Sequence, residues 1–322
     1  MKLLAVIVNY KTQQMTLEAL SALVKEVSAI PDSRAVVVDN DSEDGSYDTI
    51  LQVVESRGWS ELVDVVRSDR NGGFGFGCNV GIRRGLAARD PPDYIYLLNS
   101  DAFPEPGAVR LLVEFLDAHP KVGIAGSYIH GPDGTPHETA FRFPSWQSEI
   151  ESTLGIGVVT RFLLRKWVVA LPIPTQIQQV DWLAGASMMI RLRVLEEIGL
   201  FDETFFLYFE EVDLCRRARL AGWPTFYLPQ SRVAHIGSAS TGMKDLTKRT
   251  PSYYFDSRRH YFVKNHGILY LWAANLSWIL GYSLGHIRRR LMNKPDRVHR
   301  ARVFTDFITH NFVPGSRRTN SK

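Results

Sequence analysis

Cysteine is scarce in this chain: Cys78 and Cys215 are the only two among 322 residues. A disulfide framework is not expected to hold such a protein together, and a reducing cytosol is the expected compartment. An export leader is not expected either, because Met1 to Val8 offers one Lys and a short apolar run that leads straight into Asn9 and Tyr10. No internal repeat and no low-complexity segment interrupts the chain. With 45% hydrophobic and 22% charged residues, it reads as an ordinary globular protein. Apolar runs of bilayer length are lacking too. Ile268 to Leu284 is mainly apolar over 17 residues, but Asn275 and Ser277 break it and Arg288-Arg289-Arg290 follows. That is borderline for a span, so the expectation is a helix lying in a membrane interface with snorkelling arginines. Packing against the rest of the protein is the plain alternative.

Charge is unevenly spread behind a net of +4. Lys244 to Lys322 holds 16 Lys and Arg against 4 Asp, which leaves the preceding 243 residues net acidic. The natural partners of such a tail are anionic lipid headgroups, polyphosphates or nucleic acid. Its apolar helix and the lack of a recognition motif count against nucleic acid.

Leu3 to Val8 and Arg34 to Asp39 are unbroken apolar runs, the pattern of parallel strands covered on both faces. Helices are expected over Met15 to Val27 and Tyr47 to Arg57, with a short strand at Val63 to Arg67 between them and the next helix. That helix opens in the glycine-rich stretch Asn71 to Gly85, and Asp93 to Leu98 forms a fourth strand. A helix over Ala108 to Ala118, a strand over Val122 to Ser127 and a turn at Asp133-Gly134 follow. Residues 145 to 180 are harder to place; Val158 to Leu171 fits an amphipathic helix near a membrane or simply core. Helices resume at Leu195 to Ile198 and Glu210 to Ala221. The alternation of strand and helix predicts a doubly wound α/β fold with a mostly parallel sheet, whose ligands sit at the carboxyl ends of the strands.

The residues that carry chemistry follow those strands. Asp39, in Asp39-Asn40-Asp41-Ser42, can accept hydrogen bonds from a nucleotide's base or ribose, or can cap the next helix. Asn71-Gly72-Gly73-Phe74 through Asn79 and Gly81 lets backbone approach a ligand closely. A dinucleotide fingerprint would place such a loop after the first strand, so a nicotinamide enzyme is the weaker reading. Asn99-Ser100-Asp101 ends a strand in oxygen ligands suited to Mg²⁺ or Mn²⁺ together with substrate phosphates. Glu210, Glu211 and Asp213 cluster after an aromatic run, where they serve a helix dipole, a general base of raised pKa, or both. His235, before the hydroxyl-rich stretch Ser238 to Thr241, can complete an oxygen and imidazole metal site, although a lone histidine is more often structural.

Taken in order, Ile7 to Tyr10, Val38 to Ser42, Asn71 to Gly75, Leu98 to Asp101, Trp182 to Met189, Phe209 to Asp213 and His235 resemble the family-2 glycosyltransferases of the GT-A fold, closest to the rhamnosyltransferase-like branch. The resemblance covers roughly residues 3 to 265. It implies inversion at the anomeric carbon of a nucleotide sugar, with dTDP-rhamnose or a UDP-sugar as donor and a lipid-linked or growing surface polysaccharide as acceptor. It implies donor contacts from Asn9, Tyr10, Asp39, Asn40, Asp41, Asn71, Gly72, Gly73, Phe74, Asn79, Asn99 and Ser100. Trp182, Gly185 and Ala186 would meet the acceptor, Asp101 and His235 would hold the metal, and Glu211 would be the base beside Glu210 and Asp213. Glu211 stands where the family pattern has Asp, and Asn99 replaces the first carboxylate of the common Asp-X-Asp. The expected layout is a GT-A catalytic domain over 1–243 and a basic helical extension over 244–322 on the inner membrane surface, with self-association left open. A silent nucleotide-sugar-binding module is the competing reading; the clustered carboxylates argue against it.

Overall fold

The computed structural model describes residues 2–87, 90–237, 247–293 and 302–313. In chain order it runs β1 (Leu3–Asn9), α1 (Gln13–Ser28), β2 (Ser33–Asp39), α2 (Ser46–Ser56), β3 (Val63–Arg67), α3 (Phe74–Leu86), β4 (Tyr94–Asn99) and β5 (Ala102–Pro104). Next come α4 (Ala108–Ala118), β6 (Ile124–His130), β7 (Ala140–Phe141), α5 (Trp146–Leu154), α6 (Gly157–Val159), β8 (Gln178–Val180), β9 (Trp182–Leu183) and β10 (Ser187–Arg191). The chain continues through α7 (Leu192–Ile198), α8 (Glu210–Leu220), β11 (Thr225–His235), α9 (Ser252–His266), α10 (Ile268–Leu291) and α11 (Val303–Phe312).

The chain forms two compact units. The first comprises Met1–Phe141, Leu171–Phe206 and Glu210–Thr241. Its sheet has the order β3-β2-β1-β4-β10-β6-β11-β5, with β8 beside β11. The apolar runs of β1, β2 and β4 are buried because helices cover both faces, and these strands are parallel in register: Asn9 faces Asp39, and Val8 faces Asn99. The sheet is mostly parallel, as expected; within it β10 inserts antiparallel between β4 and β6. The alternation of strand and helix says nothing about partners so far apart in sequence.

Much of the glycine-rich stretch packs rather than binds. A Cβ on Gly77, Gly81 or Gly85 would lie 2.6, 2.6 or 2.1 Å from Val8, Val6 or Leu4. Spaced four apart on one face of α3, these glycines let the helix lie directly on β1. Gly72 and Gly73 precede the helix and differ: Gly73 takes φ +88°, and a Cβ there would lie 1.7 Å from the Phe206 carbonyl oxygen.

The second unit comprises Arg142–Ala170, Leu207–Phe209 and Gly242–Lys322. Thus Arg142–Ala170 groups with the C-terminal helices, beyond the 244–322 extension expected from charge alone. Helix α10 receives α5 at Gly281 and Gly285, where added Cβ atoms would meet Thr153 and the Leu154 carbonyl oxygen at 2.2 and 2.7 Å. Trp278 stacks on Phe307 of α11 at 4.0 Å. A polar core accompanies this packing: buried Arg258 pairs with Glu149 at 3.0 Å and donates to the Asn275 amide oxygen at 2.7 Å. Val158 to Leu171, expected as one amphipathic helix or as core, breaks into α6 and single turns through Trp167. Val158, Phe162 and Leu163 are exposed there, which excludes a core role. Among the described residues no helix is long and apolar enough to cross a membrane.

Candidate active site

The expected residues of the first unit gather where β1, β2 and β4 end. Because those strands are parallel and in register, Asn9, Asp39 and Asn99 finish side by side. Antiparallel β10 starts at the same edge, with Ser187 facing Leu98, and β11 brings His235 opposite Ala102.

Several expected donor contacts turn out to be braces. Asn9 is fully buried and donates to Asp39 Oδ1 at 2.7 Å and Ser42 Oγ at 3.1 Å, while its own oxygen accepts from Thr16 Oγ1 at 2.7 Å. Asp39 also accepts from the Ser42 hydroxyl at 2.5 Å, and Arg67 reaches its other oxygen at 4.0 Å. Asn40 donates to Asn71 Oδ1 and to the Gly73 carbonyl, each at 3.0 Å, and accepts from Ser68 at 3.2 Å. Ser100 accepts from Thr12 at 3.1 Å. Asn79 is the clearest correction to the expected donor set: both ends of its amide are taken by the Phe201–Glu203 loop at 2.9–3.0 Å. Tyr10, Asp41, Asn71, Gly72, Phe74 and Asn99 keep part of their surface open. Thr12, Thr16 and Ser68 were missed by sequence reasoning, and Ser42 was placed in the Asp39 motif without a role; the helical spacing of Thr12 and Thr16 was the one signal those two gave.

Asp101 and His235 meet as expected. His235 Nε2 lies 3.0 Å from Asp101 Oδ1 and 3.4 Å from the Asn99 amide nitrogen, and the Gly237 N–H donates to Asp101 Oδ2 at 3.0 Å. Burial pushes the Asp101 carboxyl up, but the hydrogen bond and charge of His235 and the backbone donors outweigh it and hold its pKa below the ordinary value. One carboxylate, one imidazole and one amide converge, a donor set that fits Mn²⁺ or Mg²⁺. Among the described residues no group of three or more His, Cys, Asp and Glu is placed to hold a metal ion, so a cation here would need substrate oxygens to complete its shell. Ser238 to Thr241 lie outside the described residues.

The carboxylates of α8 divide. Glu210 is buried, and burial followed by repulsion from Glu211 raises its pKa well above the ordinary value. Glu211 is raised by burial too, against the opposing backbone hydrogen bonds from its own N–H and that of Gly185. The Oε2 atoms of both are buried without a hydrogen-bond partner. Asp213 was grouped with them, but it faces inward and pairs with Arg217 Nε at 2.8 Å. Arg217 in turn donates to the Ile198 and Leu200 carbonyls at 2.7 and 2.9 Å. Asp213 is therefore a structural anchor.

The β9–β10 turn joins the two charged groups. Gly185 gives its N–H to Glu211, and the Ala186 carbonyl accepts the Asn99 N–H at 3.1 Å. Gly185 lies against the Phe74 ring, which an added Cβ would approach to 3.2 Å. Ala186 is buried, so it contributes backbone instead of the expected acceptor contact. Trp182 stacks on Phe141 at 4.2 Å as a half-buried wall.

Similarities to known proteins agree with this geometry. An N-acetylglucosaminyl-diphospho-decaprenol L-rhamnosyltransferase of Mycobacterium tuberculosis is 28% identical over 272 residues, 80% of this chain and 82% of that protein. The low-salt glycan biosynthesis hexosyltransferase Agl10 of Haloferax volcanii is 27% identical over 270 residues, 81% of this chain and 74% of that protein. Among solved structures, the mannosyltransferase PcManGT of Pyrobaculum calidifontis, in complex with GDP-Man and Mn²⁺, superimposes with a TM-score of 0.59 at 12% identity, covering 91% of this chain and 75% of that one. GalNAc-T7 with UDP, GalNAc and Mn²⁺ gives 0.57 at 14%, covering 95% and 56%. These two show the GT-A fold. The profile described as "Glycosyltransferase like family 2" matches residues 2–257, and with the strand-end site in place this chain belongs to glycosyltransferase family 2.

Proposed function

We propose that the protein transfers a sugar, with inversion, from a nucleotide-sugar donor to a lipid-linked or growing surface-polysaccharide acceptor at the inner face of the cell membrane. dTDP-rhamnose leads among donors, with a UDP-sugar next. The names of the rhamnosyltransferase and hexosyltransferase relatives support the donor and acceptor classes. The observation that carries the chemistry is the pair of buried carboxylates, Glu210 and Glu211, tied through Gly185–Ala186 to Asn99, His235 and Asp101.

Glu211 takes the acceptor hydroxyl's proton as that oxygen bonds to the anomeric carbon and the bond to the diphosphate breaks. Its raised pKa makes it a stronger base than an ordinary glutamate. The Gly185 N–H fixes the carboxylate's direction. A divalent cation, Mg²⁺ or Mn²⁺, held by Asp101, His235 and Asn99, would neutralise charge on the departing diphosphate. Asp39 is buried and already accepts from Asn9 and Ser42, so it shapes the nucleoside site from beneath.

A panel of nucleotide sugars screened by thermal shift with and without Mn²⁺ tests this reading. The preferred donor raises Tm most, and more with Mn²⁺, because ligand bound only by the folded state stabilises it. A chain that no nucleotide sugar stabilises, with or without the metal, would refute it.

A further inference from the structure

Helix α10 has three faces, and two are covered. Gly281 and Gly285 admit α5, and Trp278 and Tyr282 stack on Phe307 and Phe304 of α11. The third face is bare and apolar: Leu269, Leu276, Leu280, Leu284, Ile287 and Leu291 are all exposed, Leu269 and Leu291 to more than four-fifths. The sequence of α10, Ile268–Leu291, contains no Asp or Glu, so no acidic group interrupts the stripe. An exposed helix of this length ordinarily carries charges on its outer face.

The spacing of the stripe says what shape of partner it fits. Leu269, Leu280 and Leu291 recur at eleven-residue intervals, as do Leu276 and Ile287. That is about 3.67 residues per turn, close to the 3.6 of a straight helix, with at most a slight right-handed wind, and away from the 3.5 that winds a left-handed coiled coil. The stripe therefore runs in line along roughly 36 Å of helix, taking about 1.5 Å per residue over 24 residues. A straight apolar line meets a plane better than it meets a supercoiling twin helix.

Charge supplies the second argument. Exposed Lys264 lies just before the stripe and exposed Arg290 near its end. In the same unit, exposed Val158, Phe162 and Leu163 are interleaved with exposed Arg161, Arg165 and Lys166, and residues 157–170 hold no Asp or Glu. Two segments of one unit thus combine bare apolar side chains with positive charge and nothing negative. An anionic lipid bilayer is the surface that satisfies both, because apolar side chains enter the acyl boundary while Lys and Arg stay among the headgroups.

We propose that the outer face of α10, with the turns around Phe162, is a docking surface for anionic membrane on which the helix lies in the interface plane. This extends the lipid-linked-acceptor reading and does not depend on it. The test is flotation of the full-length protein with phosphatidylcholine vesicles, with and without phosphatidylglycerol, at low and high salt. The wild type floats with the anionic vesicles and is released by salt, since the charge component is screened. The double variant Leu276→Glu/Leu280→Glu, altered only at exposed sites, loses partitioning on the order of a hundredfold, as expected for keeping two leucines out of the bilayer. Phe162→Glu weakens it independently, so the test survives if the double variant folds poorly. Unchanged nucleotide-sugar thermal shifts in both variants separate this proposal from the catalytic one. Wild-type protein that stays with the bottom fraction would overturn the proposal, as would variants that float equally well. So would a double variant that turns a dimer into a monomer in sedimentation velocity without changing flotation, because the stripe would then cover a second copy.

Discussion

Replacing Gly73 with Ala should do far more damage than one methyl group suggests. The new Cβ would lie 1.7 Å from the Phe206 carbonyl oxygen, 2.5 Å from its carbon and 2.8 Å from the Phe206 Cα, all backbone atoms that no rotamer change can move aside. Relief to the 3.0 Å that real contacts keep requires a shift of roughly 1.3 Å. The φ of +88° adds about 1 kcal/mol for any residue with a Cβ. The same shift strains the Phe74 N–H to Phe206 oxygen bond of 3.1 Å and the Asn40 to Gly73 bond of 3.0 Å, each worth about 1 kcal/mol. With overpacking of about 1–3 kcal/mol, the total loss is about 4–6 kcal/mol. Gly134→Ala is the internal control: its φ is +81° with nothing within 4 Å, so it should lose only about 1 kcal/mol. Urea unfolding followed by tryptophan fluorescence compares the two, and nucleotide-sugar titration should show at least about a tenfold affinity loss for Gly73→Ala alone. Equal midpoints for the two variants would refute the steric argument.

Glu211→Gln should lower kcat by roughly a hundredfold or more with donor affinity nearly intact; normal turnover in that variant would move the base elsewhere. Since the base works deprotonated and its folded pKa is raised, the wild-type rate should fall on acidification along a limb placed above the ordinary glutamate value of 4.5; a limb at or below that value would contradict the burial argument. The same sign governs stability: Glu210 favours the folded state when protonated, so stability is lost as pH rises from 4.5 toward its raised pKa. Glu210→Gln should remove that loss in melts taken across the range. Asp213→Asn should lower stability by about 3 kcal/mol, because it leaves Arg217 without its buried counter-charge, while the variant still turns over below its lowered Tm; inactivity of the folded variant would return Asp213 to the chemistry. Asp101→Ala should abolish the extra Tm gain that Mn²⁺ gives with donor; a retained gain would place the cation elsewhere.

The half of the fold that was legible is the half written in local pattern. Buried runs at Leu3–Asn9 and Ser33–Asp39 appeared within a residue or two of the expected bounds, because burial on both faces leaves a continuous signature, and Ala108–Ala118 matched at both ends through its helical alternation of buried and exposed residues. The antiparallel insertion of β10 was hidden, since partner choice is decided by contacts nearly a hundred residues apart. The nearness of Asp101 and His235 was legible because each stands at a strand end within the ordered set of motifs, and strand ends of one sheet meet. Asn79 and Asp213 misled for the opposite reason: residue type announces polarity, but only packing tells whether an amide or carboxylate faces ligand or fastens a loop. Hydroxyls such as Thr16 and Ser68 are common everywhere, so their share in the site left little trace in one sequence.

The buried hydrogen bonds among Asn9, Asp39, Ser42 and Thr16 carry a consequence for speed as well as for shape. A carboxylate on a loose loop must be frozen each time a nucleotide arrives, and that lost freedom is subtracted from affinity. Here the carboxylate is frozen at the moment of folding, by neighbours that never leave. On the proposed function an incoming donor would find a rigid template, so mutations among these hydroxyls and amides should slow capture and loosen retention without touching any atom of the donor. The cost of order has been moved from every catalytic cycle to a single folding event.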